Sequence, residues 1–134
     1  MYQSDWLLRQ IEQMGAALRR MLAALREHRP EDAVALSREA VEELLDTDPD
    51  LIEALSGDGL VTMLSAGGTL DTFRAHMLAE VLAARAEALL MQGLDAQAAA
   101  ERERARILLG AVAPLVEGAD EQRVRELLGW LGDA

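Results

Sequence analysis

Residues 71–112 have the most regular pattern of apolar and polar positions in the chain. Apolar side chains recur here mostly three to five residues apart, as one face of an α-helix requires, at Phe73, Met77, Val81, Leu82, Ala86, Leu89 and Leu90. A second stripe follows at Ala98, Ala105, Leu108, Leu109 and Val112. Between the stripes, Gly93 suits a left-handed C-terminal cap, and Asp95 suits an N-cap of the next helix. The pattern therefore predicts a helical hairpin on which the other helices pack.

The N-terminal stretch predicts a long helix that begins after Ser4 and ends near Glu27 or His28. Its apolar residues alternate at spacings of four and three, the pattern of a heptad seam, at Leu7, Ile11, Met14, Leu18, Met21 and Leu25. Trp6, Leu8 and Leu22 flank this seam and widen the apolar surface. Because that width exceeds what one neighbouring helix covers, these three residues are candidates for a dimer interface. The alternative is that the whole stripe packs within one chain.

Prolines and glycines divide the middle of the chain. Pro30 fits the first turn of a second helix, where its missing N–H is harmless. Asp48 and Pro49 predict the N-cap and first turn of a short helix, and we expect Gly57 to end it. For residues 56–70 we expect one or two short helical turns.

The C-terminal part predicts a further break and a last helix. Pro114 disfavours helical backbone at Ala113, so the second helix of the hairpin should end or kink there. Asp120 is expected to cap the last helix. Together these elements predict a single all-α domain over residues 1–134, an irregular helical bundle of about five long helices and one or two short ones.

Composition supports this fold and excludes several kinds of chemistry. The 134 residues are 51% hydrophobic but only 3% aromatic, so the core must consist of Leu, Ala, Val and Met. There is no cysteine, which excludes disulfides, thiolate nucleophiles and Cys-ligated zinc. All 13 basic residues are arginine, so a Schiff-base lysine or a P-loop lysine is impossible.

The net charge of −11 bears on partners and location. An acidic surface repels phosphate groups, so we expect no nucleic-acid partner and no binding to anionic membranes. Residues 1–6 lack the basic segment and apolar core of a secretory signal, and no apolar run is long enough to span a bilayer. The expected location is the cytoplasm.

Two pairs of alanines indicate an internal repeat. Ala33 and Ala40 lie seven residues apart in the second helix, and Ala98 and Ala105 have the same spacing in the hairpin. This resembles the tetratricopeptide repeat (TPR), in which small residues at that spacing pack one helix of a pair against the other. The resemblance covers about half of the chain and departs from the motif at Arg102, which stands where an aromatic residue is usual.

Residues 5–13 also resemble the start of a small bacterial TPR-like helical family of unknown function. This resemblance implies an all-helical, TPR-like fold. It supplies no activity, cofactor or catalytic residue.

Two groupings that contain acidic residues are candidate metal sites. Asp46, Asp48 and Asp50 alternate like the start of a calcium loop, but the glycine and glutamate that an EF-hand needs further along are absent. His76 and Glu80 lie one helical turn apart, but a metal site needs three or four ligands. We therefore predict no metal and no cofactor.

Arg85 and Arg102 are the most interesting polar residues, because both interrupt apolar stripes of the predicted hairpin. They could line a groove and bind a carboxylate, or their stems could pack while their charged ends reach water or nearby glutamates. No residue has the spacing of a nucleophile or general base. We therefore expect a non-catalytic interaction or scaffolding module that binds a protein or peptide, with a homodimer possible. The alternative is a small-molecule-binding protein or accessory enzyme subunit with a pocket near Arg85 and Arg102, and a third possibility is a structural subunit of a larger assembly.

Overall fold

A computed structural model describes residues 15–131, and this part of the chain is built from α-helices with no β-strand. Helix α1 covers residues 15–26 of the described range. The following helices are α2 (Pro30–Leu45), α3 (Pro49–Ala54), α4 (Gly57–Leu64), α5 (Thr72–Met91), α6 (Asp95–Val112) and α7 (Ala119–Leu131), with a 3-10 turn at Ala113–Leu115. The predicted all-α fold, with five longer helices and two short ones, is confirmed.

Helices α5 and α6 form the predicted hairpin and share the most extensive contact in the fold. Gly93 adopts a φ of 76° and ends α5, and its left-handed backbone is the conformation that favours glycine. Helix α2 packs on α5, α4 packs on α6, and α7 packs on both members of the hairpin. The hairpin is therefore the centre of the bundle, as the sequence predicts.

Helix α5 is buried on all sides rather than on one face. Eleven of its twenty residues are buried, among them the alanines 75, 79, 83, 84, 86 and 88. From the predicted apolar face, Phe73 and Met77 are only half-buried and Leu90 is exposed. Because helices pack around α5 from several directions, its small alanines are as much part of the core as its leucines.

The breaks at Pro30, Pro49 and Ala113 fall where the sequence predicts them. Oδ1 of Asp48 accepts a hydrogen bond of 2.9 Å from the N–H of Asp50, so the predicted cap of α3 is confirmed.

Two other predicted caps are wrong. Leu94 is the N-cap of α6 without a side-chain hydrogen bond, and Asp95 is the first residue inside the helix. Asp120 likewise lies in the first turn of α7. Both carboxylates sit near the positive end of a helix dipole, which explains why acidic residues suit these positions without capping them.

Gly57 begins α4 instead of ending α3, which corrects the expectation for this glycine. The Oγ of Ser56 accepts a hydrogen bond of 3.1 Å from the N–H of Gly59 and caps α4. A Cβ atom on Gly57 would lie 2.7 Å from Cδ1 of Ile107, so this glycine lets α4 approach α6 closely.

The described part of α1 buries one stripe and exposes the other. Met21, Ala24 and Leu25 are buried, and Leu18 is half-buried. Leu22 is 45% exposed. The seam residues before position 15 lie outside the described residues. Within residues 15–131, no helix combines the length and apolar character that crossing a bilayer requires.

Candidate functional site

A groove of about 590 Å³ runs between α1, α5 and α7, and we call it the α1/α5/α7 groove. Its apolar lining consists of Leu18, Leu22 and Leu25 from α1, Ala83 and Ala84 from α5, and Leu127 from α7. The spacing of the three leucines places them along one side of α1, while the two alanines leave the α5 wall recessed. The result is a concave apolar surface that includes a largely exposed leucine, Leu22.

Charged residues from α5 and α7 line the rest of this groove: Glu80, Glu87, Arg123 and Glu126. Nη2 of Arg123 donates a hydrogen bond of 2.5 Å to Oε1 of Glu80, and this contact joins α7 to α5. Nε2 of His76 lies 3.0 Å from Oε2 of Glu80, but its N–H is not aligned for a hydrogen bond. The carboxylate of the candidate metal pair His76 and Glu80 thus pairs with an arginine.

The pKa of Glu80 lies far below its ordinary value of 4.5, at about 2. Burial by itself raises the pKa of this carboxyl, but the contacts with His76 and Arg123 outweigh burial and lower it. Glu80 is therefore an ionised structural anchor between α5 and α7 at neutral pH.

Arg85 and Arg102 do not meet in one groove. Nη2 of Arg85 lies 3.0 Å from Oε1 of Glu53 on α3, and Arg38 on α2 donates to the same oxygen. The space beside Arg85 is bordered by Arg104, and Arg102 does not line it. The carboxylate that Arg85 binds in this structure is therefore supplied by the chain itself.

Arg104 is a residue that the sequence analysis missed. It is only 8% exposed, its Nη1 lies 3.0 Å from both carboxylate oxygens of Glu101, and its Nη2 donates to the carbonyl oxygen of Ile52 on α3. The spacing of Glu101 and Arg104, three residues apart on α6, is the sequence signal for this pair. Arg85 and Arg104 thus both hold α3 against the central hairpin.

The pKa of Glu53 is also lowered. Burial raises the pKa of this carboxyl, and the hydrogen bonds from Arg38 and Arg85 more than offset that effect. The adjoining cavity measures only about 10 Å³, which is at most the room of a single water molecule. The arrangement leaves no space for an organic ligand at Arg85.

The three aspartates of the candidate calcium loop have separate roles. Asp46 adopts a left-handed backbone and ends α2, Asp48 caps α3, and Asp50 accepts a hydrogen bond of 2.8 Å from Arg38. Over residues 15–131, no three His, Cys, Asp or Glu side chains gather in a way that could hold a metal ion.

Of the three residues predicted at a dimer interface, Leu22 lines the α1/α5/α7 groove, whereas Trp6 and Leu8 lie outside the described residues. No protein-family model, curated protein or solved structure matches the chain. The TPR-like resemblance therefore stays a prediction from the residues that carry it.

Proposed function

We propose that the chain is a non-catalytic protein–protein interaction module and that the α1/α5/α7 groove is its binding surface. The observation that carries this proposal is the exposed Leu22 on the wall of a concave groove. The groove has a volume of about 590 Å³ and is lined largely by leucine and alanine. Grooves of this kind accept the apolar face of an amphipathic helix. The proposal includes a TPR-like arrangement of helices, which the complete burial of Ala98 and Ala105 supports. It also includes a cytoplasmic location.

The charges beside the groove support binding rather than catalysis. A general base works best with a pKa near the operating pH, whereas Glu80 has a pKa of about 2 and is engaged by Arg123. Arg123 is in turn oriented by that carboxylate. Glu80 and Arg123 thus join α7 to α5 and polarise the rim of the groove, and neither of these two side chains is a free acid or base.

The alternative, a small-molecule pocket near Arg85 and Arg102, receives less support. The cavity at Arg85 is about 10 Å³, whereas pockets for organic ligands occupy some hundreds of Å³. Arg85 is also already paired with Glu53.

A site-specific photo-crosslinker tests the proposal. A benzophenone amino acid replaces Leu22 in the groove, and the matched control carries it at Leu115, which is 58% exposed and does not line the groove. Irradiation is carried out on the purified chain and in cells that express it. We expect a protein adduct of defined mass from position 22 and none from position 115.

A blocking variant completes the test. Ala84→Arg places a long side chain in the groove from a position that is 8% exposed, and circular dichroism confirms that the helices are kept. The adduct should disappear in this variant. An interaction through this groove is refuted by the absence of any protein adduct at position 22, or by an adduct that survives the block.

A further inference from the structure

The described part of α1 differs in charge from every other helix. Residues 15–26 contain three arginines and no acidic residue, whereas none of the other helices within residues 15–131 has a net positive charge. The chain as a whole carries a net charge of −11. The basic segment 15–26 is therefore complementary in charge to an acidic protein surface.

Two of these arginines flank the exposed leucine of α1. Arg19, Leu22 and Arg26 follow at spacings of three and four residues and share one face of the helix. Both arginines are exposed, and neither forms an ion pair with a carboxylate of residues 15–131. This face therefore presents one apolar side chain between two positive charges that have no ion-pair partner within residues 15–131.

The α1/α5/α7 groove has the complementary chemistry. Its α5 wall carries Glu87, which is half-buried and makes no ion pair within the described range. Its α7 wall carries the exposed Glu126, whose only cationic neighbour among residues 15–131 is Arg123 at 3.9 Å. Burying Glu87 further would be costly unless a cation came with the apolar side chain that fills the groove.

We propose that the occupant of the α1/α5/α7 groove is α1 of a second copy of this chain. This inference rests on the proposed function and names the partner. Leu22 of each copy enters the groove of the other, while Arg19 and Arg26 face the partner's Glu87 and the partner's Glu126. Because α1 is both a wall of the groove and its occupant, the exchange is reciprocal and the pairing closes with two-fold symmetry.

A charge swap tests this pairing. The first variant is the double substitution Arg19→Glu and Arg26→Glu, and the second is Glu87→Arg with Glu126→Arg. Each variant alone opposes like charges twice in a symmetric dimer, and each should raise the dimer dissociation constant by at least about tenfold. When the two variants are mixed, opposite charges face each other again, and a mixed dimer should form with close to wild-type affinity.

Light scattering across a dilution series gives the dissociation constants, and native mass spectrometry distinguishes the mixed dimer from the two homodimers by mass. The controls are Arg125→Glu and Glu117→Arg, which make the same kind of charge reversal, one residue at a time, at exposed positions that do not line the groove. Both controls should dimerise like the wild type. Circular dichroism and a thermal melt of each variant identify any variant that fails to fold.

The possible outcomes separate the two proposals. Restored pairing in the mixture supports the second-copy inference. A wild-type chain that stays monomeric, variants that dimerise like the wild type, or a mixture that fails to pair would each overturn it. In those cases a crosslink from position 22 to a different protein still upholds the interaction module, whereas the absence of any crosslink removes both proposals.

Discussion

Nη2 of Arg85 on α5 lies 3.0 Å from Oε1 of Glu53 on α3, and this ion pair joins two helices that are far apart in the sequence. Arg38 on α2 donates to the same carboxylate oxygen, so Glu53 ties three helices together. The short helix α3 buries only Ile52. Because so little apolar surface holds α3, its polar contacts carry an unusual share of its attachment to the bundle.

Arg85→Met should destabilise the protein by about 1–2 kcal/mol, because it removes a mostly buried partner of Glu53 while keeping the apolar stem. Urea unfolding at neutral pH measures the effect. The control is Arg106→Met, whose ion pair with Glu103 lies on the surface of α6 and should contribute less than about 0.5 kcal/mol. Equal losses of unfolding free energy in the two variants would mean that the ion pair of Arg85 with Glu53 stabilises the fold no more than a surface pair does.

Gly57→Ala should cost about 1–3 kcal/mol, because the added methyl group would lie 2.7 Å from Cδ1 and 2.9 Å from Cβ of Ile107. The Cβ atom is close to the backbone and cannot turn away, so α4 must shift on α6. In the matched substitution Gly110→Ala the new methyl group meets no heavy atom within 4 Å other than its chain neighbours and the backbone of its own helix, so it should stabilise α6 by about 0.5–1 kcal/mol. Opposite signs of the change in melting temperature are expected, and a stabilised Gly57→Ala variant would contradict the close approach.

Ala105→Leu should also cost about 1–3 kcal/mol, because Ala105 on α6 is completely buried in the hydrophobic core. The control Ala100→Leu lies on the exposed side of the same helix, where the two residue types differ by only a few tenths of a kcal/mol. Chemical denaturation of both variants gives the comparison. A tolerated leucine at position 105 would show that the core is not closely packed around Ala105.

The lowered pKa of Glu80 predicts how the stability of the fold depends on pH. The pKa of Glu80 is about 2 in the folded chain, against an ordinary value of 4.5, so the unfolded chain binds the proton more tightly. The stabilisation is complete above about pH 4.5 and is lost as the pH falls toward 2. It amounts to at most about 3 kcal/mol, and less in practice, because Arg123 is half-exposed.

Unfolding free energies measured between pH 7 and pH 2 test this prediction. The variant Glu80→Gln cannot titrate and should lose less stability than the wild type over that interval. Parallel curves for the two proteins would show that Glu80 has the same pKa folded and unfolded.

The positions of the helices could be predicted from the sequence because their signals are local. Pro30 and Pro49 start helices by their fixed backbone angle, and Gly93 ends one by its left-handed conformation. Gly57 shows the limit of such reasoning. A glycine between two helices can end the first helix or permit a close contact of the second. At Gly57 the close contact with Ile107 of α6 accounts for the glycine, which lies in the second helix.

The roles of the arginines could not be predicted in the same way. Residues 102 and 104 are two positions apart, which places them on different sides of α6. Which side meets α3 depends on how α6 is rotated in the bundle, and that rotation places Arg104, rather than Arg102, beside Arg85.

The sequence by itself determined that this protein is an all-α bundle centred on the 71–112 hairpin, because apolar periodicity and helix breakers act over a few residues. Only the tertiary structure decided that α5 is buried on all sides, that Glu53 forms an ion pair with Arg85, and that Leu22 and Glu87 line the same groove. These features depend on which helix faces meet, and many pairings of the same amphipathic helices satisfy the same pattern. The partners of a side chain are therefore set by packing between distant segments.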